Sequence, residues 1–248
     1  MHIKSNKKII LGIIFLLIII SFLFFYIKNT SYLKVIFFDV GQGDSIFIEA
    51  NKKQILIDGG PDNTVVSRLS KFMPFWDRSI DIVIATHGDS DHISGLPEVF
   101  KYYKVDLFID NGKESDSEIY LILNNILNSK NIKRIKADSE QFIVLDKERE
   151  IYLDILHPDI EVGEVDANDA SVVSKLTYKD KSFLFTGDAG IYAENLMTQK
   201  YSREYLKSNI LKLGHHGSDT SSSLMWLKTV KPDEVVISAG KDNRYGHP

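Results

Sequence analysis

The chain has 248 residues, 44% of them apolar, which is enough for one sizeable folded core and argues against a disordered polymer. It contains no cysteine, so disulfides, thiolate metal ligands, a cysteine nucleophile and a lipid anchor on cysteine are all excluded. The net charge of −4 is unevenly spread: residues 1–28 hold four Lys and no acid, which leaves 26 basic against 34 acidic residues, a net −8 that does not by itself attract polyanions.

The first element is Ile9 to Ile27, 19 residues without a charge, behind Lys4, Lys7 and Lys8. As a helix it spans ~28 Å, against ~30 Å of bilayer hydrocarbon. The basic cap predicts a single-pass anchor in the cell membrane with its N-terminus inside, placing the rest of the chain on the extracytoplasmic side. The flank Phe24-Phe25-Tyr26-Ile27-Lys28 lacks a small-x-small cleavage pattern, so residues 1–28 are read as a retained signal anchor. The run is apolar all round and terminal, which disfavours a buried core helix. Residues 29–33 form a linker.

Strand signals follow: Val35–Phe38, Ser45–Ala50, a turn at Asn51-Lys52-Lys53, Gln54–Ile57, and Ile80–Ala85, which reads as buried on both faces. Leu96–Tyr103 and Ser117–Asn128 read as helices, the second with Ile119, Leu121, Ile122, Ile126 and Leu127 on its apolar side. Strands resume at Phe142–Leu145, Ile151–Leu156, Ser171–Tyr178 and Ser182–Phe185. Then come a helix at Tyr192–Gln199, a strand at Asn209–Leu213, a helix at Ser223–Thr229 and a strand at Glu234–Ser238. Strands in runs broken by helices, in two similar halves, predict packed sheets with helices outside.

Three segments carry chemistry. His87-x-Asp89-x-Asp91-His92 directly follows the buried strand, and two imidazoles with two carboxylates in six residues suit a divalent cation bound by N and O donors. Phe185-Thr186-Gly187-Asp188 ends another apolar strand with a carboxylate, which alone reads equally well as a helix N-cap. Leu213-Gly214-His215-His216-Gly217-Ser218 sets two His between an apolar strand and a Gly turn. Smaller signals are Asn168-Asp169-Ala170-Ser171 and the terminal Tyr245-Gly246-His247-Pro248. Five of the seven His lie in these motifs, His2 falls in the basic cap, and His157 before Pro158 reads as structural.

Taken together, the series His-x-Asp-x-Asp-His, Gly-Asp and His-His-Gly-Ser resembles the metallo-β-lactamase superfamily. More closely, it resembles the branch formed by the hydrolase domain of the competence proteins ComEC/Rec2 and their stand-alone relatives. Phe38-Asp39-Val40-Gly41-Gln42-Gly43-Asp44-Ser45, Leu56-Ile57-Asp58-Gly59-Gly60, Asn168-x-x-Ser171 and Asn243-Arg244-Tyr245-Gly246-His247-Pro248 extend the match over roughly residues 34–248. The resemblance implies an α+β fold, an αββα four-layer sandwich with its site at one edge. It implies two divalent metal ions: His87 and Asp89 on one, Asp91 and His92 on the second, Asp188 bridging, and His215 or His216 completing the second site, with His215 taken as the ligand. Asp58 would brace the His87 loop. Asp89 stands where the wider superfamily has a second His, and Asn168 where a third is expected. This oxygen-rich first site favours Mn²⁺ over Zn²⁺. Similar domains usually continue past His247-Pro248, so the 34–248 domain is read as C-terminally truncated or lacking its last element.

On this reading the metals supply an activated water for attack on phosphorus or a carbonyl carbon. Asp91, His216 and His247 are the catalytic side chains: Asp91 holds the nucleophile in line, and the two His contact a phosphate oxygen or protonate the leaving group. Backbone N–H groups of Gly41–Asp44 line the pocket. The expected function is extracytoplasmic phosphodiester hydrolysis, with DNA as the family-based substrate. The alternatives are a hydrolase of small or cell-wall phosphoesters of the choline-phosphate type, a lactamase, or an anchored binding protein with a degenerate site. No protein partner is legible.

Overall fold

The computed structural model describes residues 3–29, 33–159, 161–241 and 243–248. His2 and residues 30–32 of the linker lie outside them. The chain divides into two compact units, one up to Leu33 and one of Lys34–Pro248. The first is a helix, α1 (Ile3–Asn29). Its Lys7–Phe24 window has a mean hydropathy of 2.6 and, among the described residues, belongs to the one helix long and apolar enough to cross a membrane.

The second unit has two six-stranded sheets. The first runs in chain order through β1 (Lys34–Phe37), β2 (Ile46–Ala50), β3 (Lys53–Ile57), β4 (Ser79–Ala85), β5 (Lys104–Asp110) and β6 (Lys133–Lys136). Asn51 and Lys52 both take positive φ, the conformation of a tight two-residue hairpin turn, and so set Ala50 opposite Lys53. From β3 onward the strands are parallel, which requires crossovers: α2 (Thr64–Phe72), then α3 (Ser90–Ile93) with α4 (Leu96–Tyr102), then α5 (Glu118–Ser129).

The second sheet repeats this plan. The antiparallel strands β7 (Phe142–Asp146), β8 (Ile151–His157), β9 (Val173–Tyr178) and β10 (Lys181–Phe185) are followed by parallel β11 (Ile210–Lys212) and β12 (Glu234–Val236). Helices α6 (Ile191–Lys200), α7 (Arg203–Leu206) and α8 (Leu224–Val230) make its crossovers.

Strand alternation assigns each face. Phe47, Leu56, Val83 and Phe108 pack with Val65, Leu69, Val99 and Leu123 of the helices. Ile46, Ile48, Ile55, Ile57 and Ile84 are buried on the opposite face, and Phe37 of β1 meets Phe185 of β10 with ring centroids 6.0 Å apart. The result is the αββα sandwich. Parallel β3 and β4 in one sheet, and β10 and β11 in the other, bring four strand ends to the same edge.

The structure corrects the expected face of α5. Its buried residues are Tyr120, Leu123 and Leu127, with Ile119 and Ile126 partly buried, while Leu121 and Ile122 face solvent. It also adds α2, α3, β5, β6 and α7 to the elements expected.

Candidate metal centre

Loops at the four strand ends build the site. Asp58 follows β3, His87 to His92 follow β4, Asp188 follows β10, and His216 follows β11. The segment Asp39–Asp44 follows β1 to the same edge. Here Gly43 has φ +127°, and a Cβ on it would stand 2.0 Å from the Asp91 carbonyl oxygen. A Gly43→Ala variant has only backbone to push against. It is expected to displace Asp91 and lower metal affinity at least tenfold, as read by calorimetric titration; unchanged affinity would disprove the close fit.

Each of three imidazoles is fixed through Nδ1. His92 donates from Nδ1 to Asp58 Oδ2 at 2.8 Å, and Asp58 also accepts the Thr86 backbone N–H and hydroxyl at 2.7 Å each. His216 donates from Nδ1 to the Ser238 carbonyl at 2.7 Å. His87 Nδ1 lies 3.0 Å from Thr86 Oγ1, whose own proton goes to Asp58, so the ring nitrogen is the donor. With Nδ1 hydrogen-bonded outward in all three, each ring points its Nε2 inward, the atom a metal-ligating His presents; in the metal-free protein that of His216 carries the proton a metal would displace.

Those atoms converge on Asp188. Its Oδ2 lies 3.3 Å from Nε2 of His92, 3.3 Å from Nε2 of His216 and 4.0 Å from Nε2 of His87. Asp91 Oδ2 accepts from His216 Nε2 at 3.1 Å, and Asp89 Oδ2 lies 3.6 Å from His87 Nε2. Asp91, His92, Asp188 and His216 each offer one ligand atom within 4.8 Å of the others. The Nε2 atoms of His87 and His92 and Oδ1 of Asp188 are buried without a hydrogen-bond partner. Buried polar atoms of this kind require a counterpart, and inward imidazole nitrogens around a carboxylate fit divalent cations.

The two His of the Gly-His-His-Gly turn divide. His216 enters the cluster, while His215 turns away and its Nδ1 meets Thr220 Oγ1 at 2.9 Å. The ring brought among the atoms that could hold a metal is therefore that of His216, where His215 was the expected ligand. Both take positive φ, so the chain reverses between them and only one ring can face inward. His247 sits at the mouth, its ring centroid 5.9 Å from that of His216 and its Nδ1 3.4 Å from Gln42 Nε2. His157 is buried and donates from Nε2 to the Asp169 carbonyl at 2.8 Å.

One residue of the site escaped sequence reasoning. Lys212 at the end of β11 is fully buried, ion-paired with Asp44, 3.6 Å from Asp188 Oδ1, and donating to the Gly187 carbonyl at 2.9 Å. A Lys between Leu211 and Leu213 in an otherwise apolar strand is the signal that marks it.

Charges are shared as this packing dictates. For Asp188, burial opposes ionisation, but the charges of His92 and His216, each 3.3 Å away, and of Lys212 hold it well below the usual carboxylate range. For Asp91, burial is likewise outweighed, by the His216 hydrogen bond and the His92 charge, and the carboxyl falls to about 2. His216 loses by burial but gains more from Asp188 and Asp91, rising to about 9. Asp188 and Asp58 hold His92 well above its ordinary value. At the mouth, burial and the neighbouring His216 and His215 charges lower His247.

In the metal-free protein the stabilisation from His216 is therefore complete below the unfolded value of ~6.5 and lost as pH rises through about 9. A metal competes with that proton. Apparent affinity for Mn²⁺ should rise steadily from pH 6.5 to 9. Calorimetry in buffers of different ionisation enthalpy should record proton release on binding; pH-independent affinity would contradict the assignment.

The sequence pattern of the metallo-beta-lactamase superfamily matches residues 38–241. ComE operon protein 3 of Bacillus subtilis (strain 168) is 27% identical over 253 residues, covering 91% of this chain and 31% of that protein. Exodeoxyribonuclease WalJ of Streptococcus pneumoniae is 22% identical over 157 residues, covering 62% of this chain and 53% of WalJ. The chain thus spans between about a third and a half of these relatives' length. The metallo-beta-lactamase fold protein YhfI from Bacillus subtilis superposes with a TM-score of 0.55 at 14% identity, over 87% of this chain and 89% of YhfI.

Proposed function

This chain belongs to the metallo-β-lactamase superfamily of hydrolases, with relatives among the competence proteins, and from that membership we propose that it is a two-metal phosphodiesterase acting on DNA. The observation that carries the reading is the convergence of three inward Nε2 atoms and Asp91 on Asp188. His87, Asp89 and Asp188 would hold one cation, and Asp91, His92, His216 and Asp188 the other. Such ions, Mn²⁺ in preference to Zn²⁺ given the carboxylate content, supply an activated water and neutralise charge on a phosphate.

The side chains do the rest. Asp91, ionised down to about 2, orients the attacking water by accepting its hydrogen bond. Gln42 donates to His247 Nδ1, which leaves the Nε2–H of a neutral ring for a substrate oxygen at the mouth. That contact supports a reading in which His247 binds the phosphate rather than protonating the leaving group. Asp58 keeps His92 in the correct tautomer. The helix α1 would hold the domain, 34–248, at the membrane on the extracytoplasmic side.

WalJ is named an exodeoxyribonuclease, which supports the DNA reading. The domain's net charge of −8 favours a second one, a small or cell-wall phosphoester. The purified full chain with Mn²⁺ should cleave bis-p-nitrophenyl phosphate and single- or double-stranded DNA and leave nitrocefin intact. Cleavage of p-nitrophenyl phosphorylcholine alone would favour the second reading. Failure to bind stoichiometric Mn²⁺ or Zn²⁺ would point to a binding protein instead.

A further inference from the structure

The end of the first sheet opposite the metal centre carries two exposed aromatic rings that hydrolysis does not use. Between α2 and β4 the chain reads Phe72-Met73-Pro74-Phe75-Trp76-Asp77-Arg78. Met73 is buried and anchors the start of this loop. Asp77 is tied at its end, accepting from Gln54 Nε2 at 2.8 Å and from the Ser79 hydroxyl at 2.9 Å. Between these fixed points Phe75 is 79% and Trp76 73% exposed, their rings edge to face with centroids 4.8 Å apart. An ordered loop that holds two large aromatics in water marks an interaction surface.

What surrounds the rings is basic. Lys71 and Arg78 flank them and are exposed, and the β2–β3 turn presents Lys52 and Lys53 beside them. The nearby acids are engaged: Asp81 accepts the Gln54 backbone N–H at 2.8 Å, and Glu49 pairs with Lys34 at 3.0 Å. In a domain of net charge −8 this is a local reversal of sign.

Chain connectivity supplies the occupant. Lys34, the first residue of β1, lies opposite Glu49 at this same end of the sheet. The helix α1 ends at Asn29, and covalent geometry limits the five intervening steps to ~17 Å. Once α1 spans a bilayer, this end is held within reach of the headgroups. Phe and Trp ringed by Lys and Arg is the composition of a membrane interface.

We propose that the Phe75–Trp76 loop seats the domain on an anionic lipid surface, the two rings entering the boundary between headgroups and acyl chains while Lys52, Lys53, Lys71 and Arg78 meet lipid phosphates. The proposal rests on α1 being a membrane anchor. Its consequence is orientation: β4 runs for ~20 Å from this end towards His87, so the metal centre opens away from the bilayer and takes substrate from the aqueous phase.

Tryptophan fluorescence tests it cleanly. The chain has two Trp, and Trp226 is buried, so quenching reports Trp76. The full chain is placed in nanodiscs of phosphatidylcholine with about one quarter phosphatidylglycerol, one set carrying bromine near the top of the acyl chains. The expected result is quenching of Trp76 by the brominated lipid with protection from aqueous iodide, and loss of the bromine quenching in Trp76→Phe, where buried Trp226 alone fluoresces. Lys52→Glu with Lys53→Glu should weaken the quenching while leaving the chain in the disc. Disc-bound protein whose Trp76 is quenched by iodide and not by bromine overturns the docking but leaves the anchor standing. Shielding from both quenchers means a protein partner or second copy and overturns it too. A chain that does not float with the discs removes the anchor and this proposal together.

Discussion

Replacing Asp188 by Asn is expected to cut phosphodiester hydrolysis by about a thousandfold, because a change worth ~4 kcal/mol in the transition state corresponds to that factor. The isosteric change keeps the shape of a residue buried to 3% exposure and removes only its charge. Its backbone N–H still donates to Ser171 Oγ, so the turn after β10 survives. What is lost is the carboxylate that faces all three inward imidazoles, and with it the group shared between the two proposed cations. Metal content per chain should fall, and thermal melting should respond less to added Mn²⁺. A variant with undiminished kcat and full metal content would end the two-metal scheme.

Much of the candidate site was legible before the fold, and the reason is local. His87 to His92 form one contiguous loop after one buried strand, so residue type and spacing suffice to mark a ligand source. The strand ends that carry Asp58 and Asp188 were legible because apolar runs stop there at Gly-bearing turns. The choice between His215 and His216 was not, since it depends on positive φ at both residues and on the Ser238 carbonyl, which lies 22 residues further on. The apolar side of α5 was misread for a related reason. With Ile or Leu at 119, 121, 122, 123, 126 and 127 the helix has no single apolar stripe, and packing against the first sheet selects Leu123 and Leu127 over Leu121 and Ile122. The strands β5 and β6 escaped because Asp106 interrupts one and three basic residues fill the other, an edge strand whose charges discourage further pairing.

Lys212 is where the site and the stability of the fold meet. Its ammonium is wholly buried, and it is held by Asp44, by the Gly187 carbonyl at 2.9 Å and by Asp188 at 3.6 Å. Burial disfavours its charge, yet Asp44 and Asp188 outweigh that and raise its pKa. A Lys212→Met variant leaves Asp44 buried without its partner, and breaking a buried pair costs about 3–5 kcal/mol. For a domain of this size the melting temperature should drop by roughly 10 °C. Removing both charges is a different matter, because a neutral pair of similar volume is often no less stable than the ion pair. Lys212→Met combined with Asp44→Asn is therefore expected to recover at least half of the loss. The same double variant separates stability from chemistry. Should it melt near wild type yet hydrolyse poorly, Lys212 positions the Gly187–Asp188 turn for metal binding as well as neutralising Asp44. Equal melting of the wild type and the single variant would show that the pair contributes nothing to the fold.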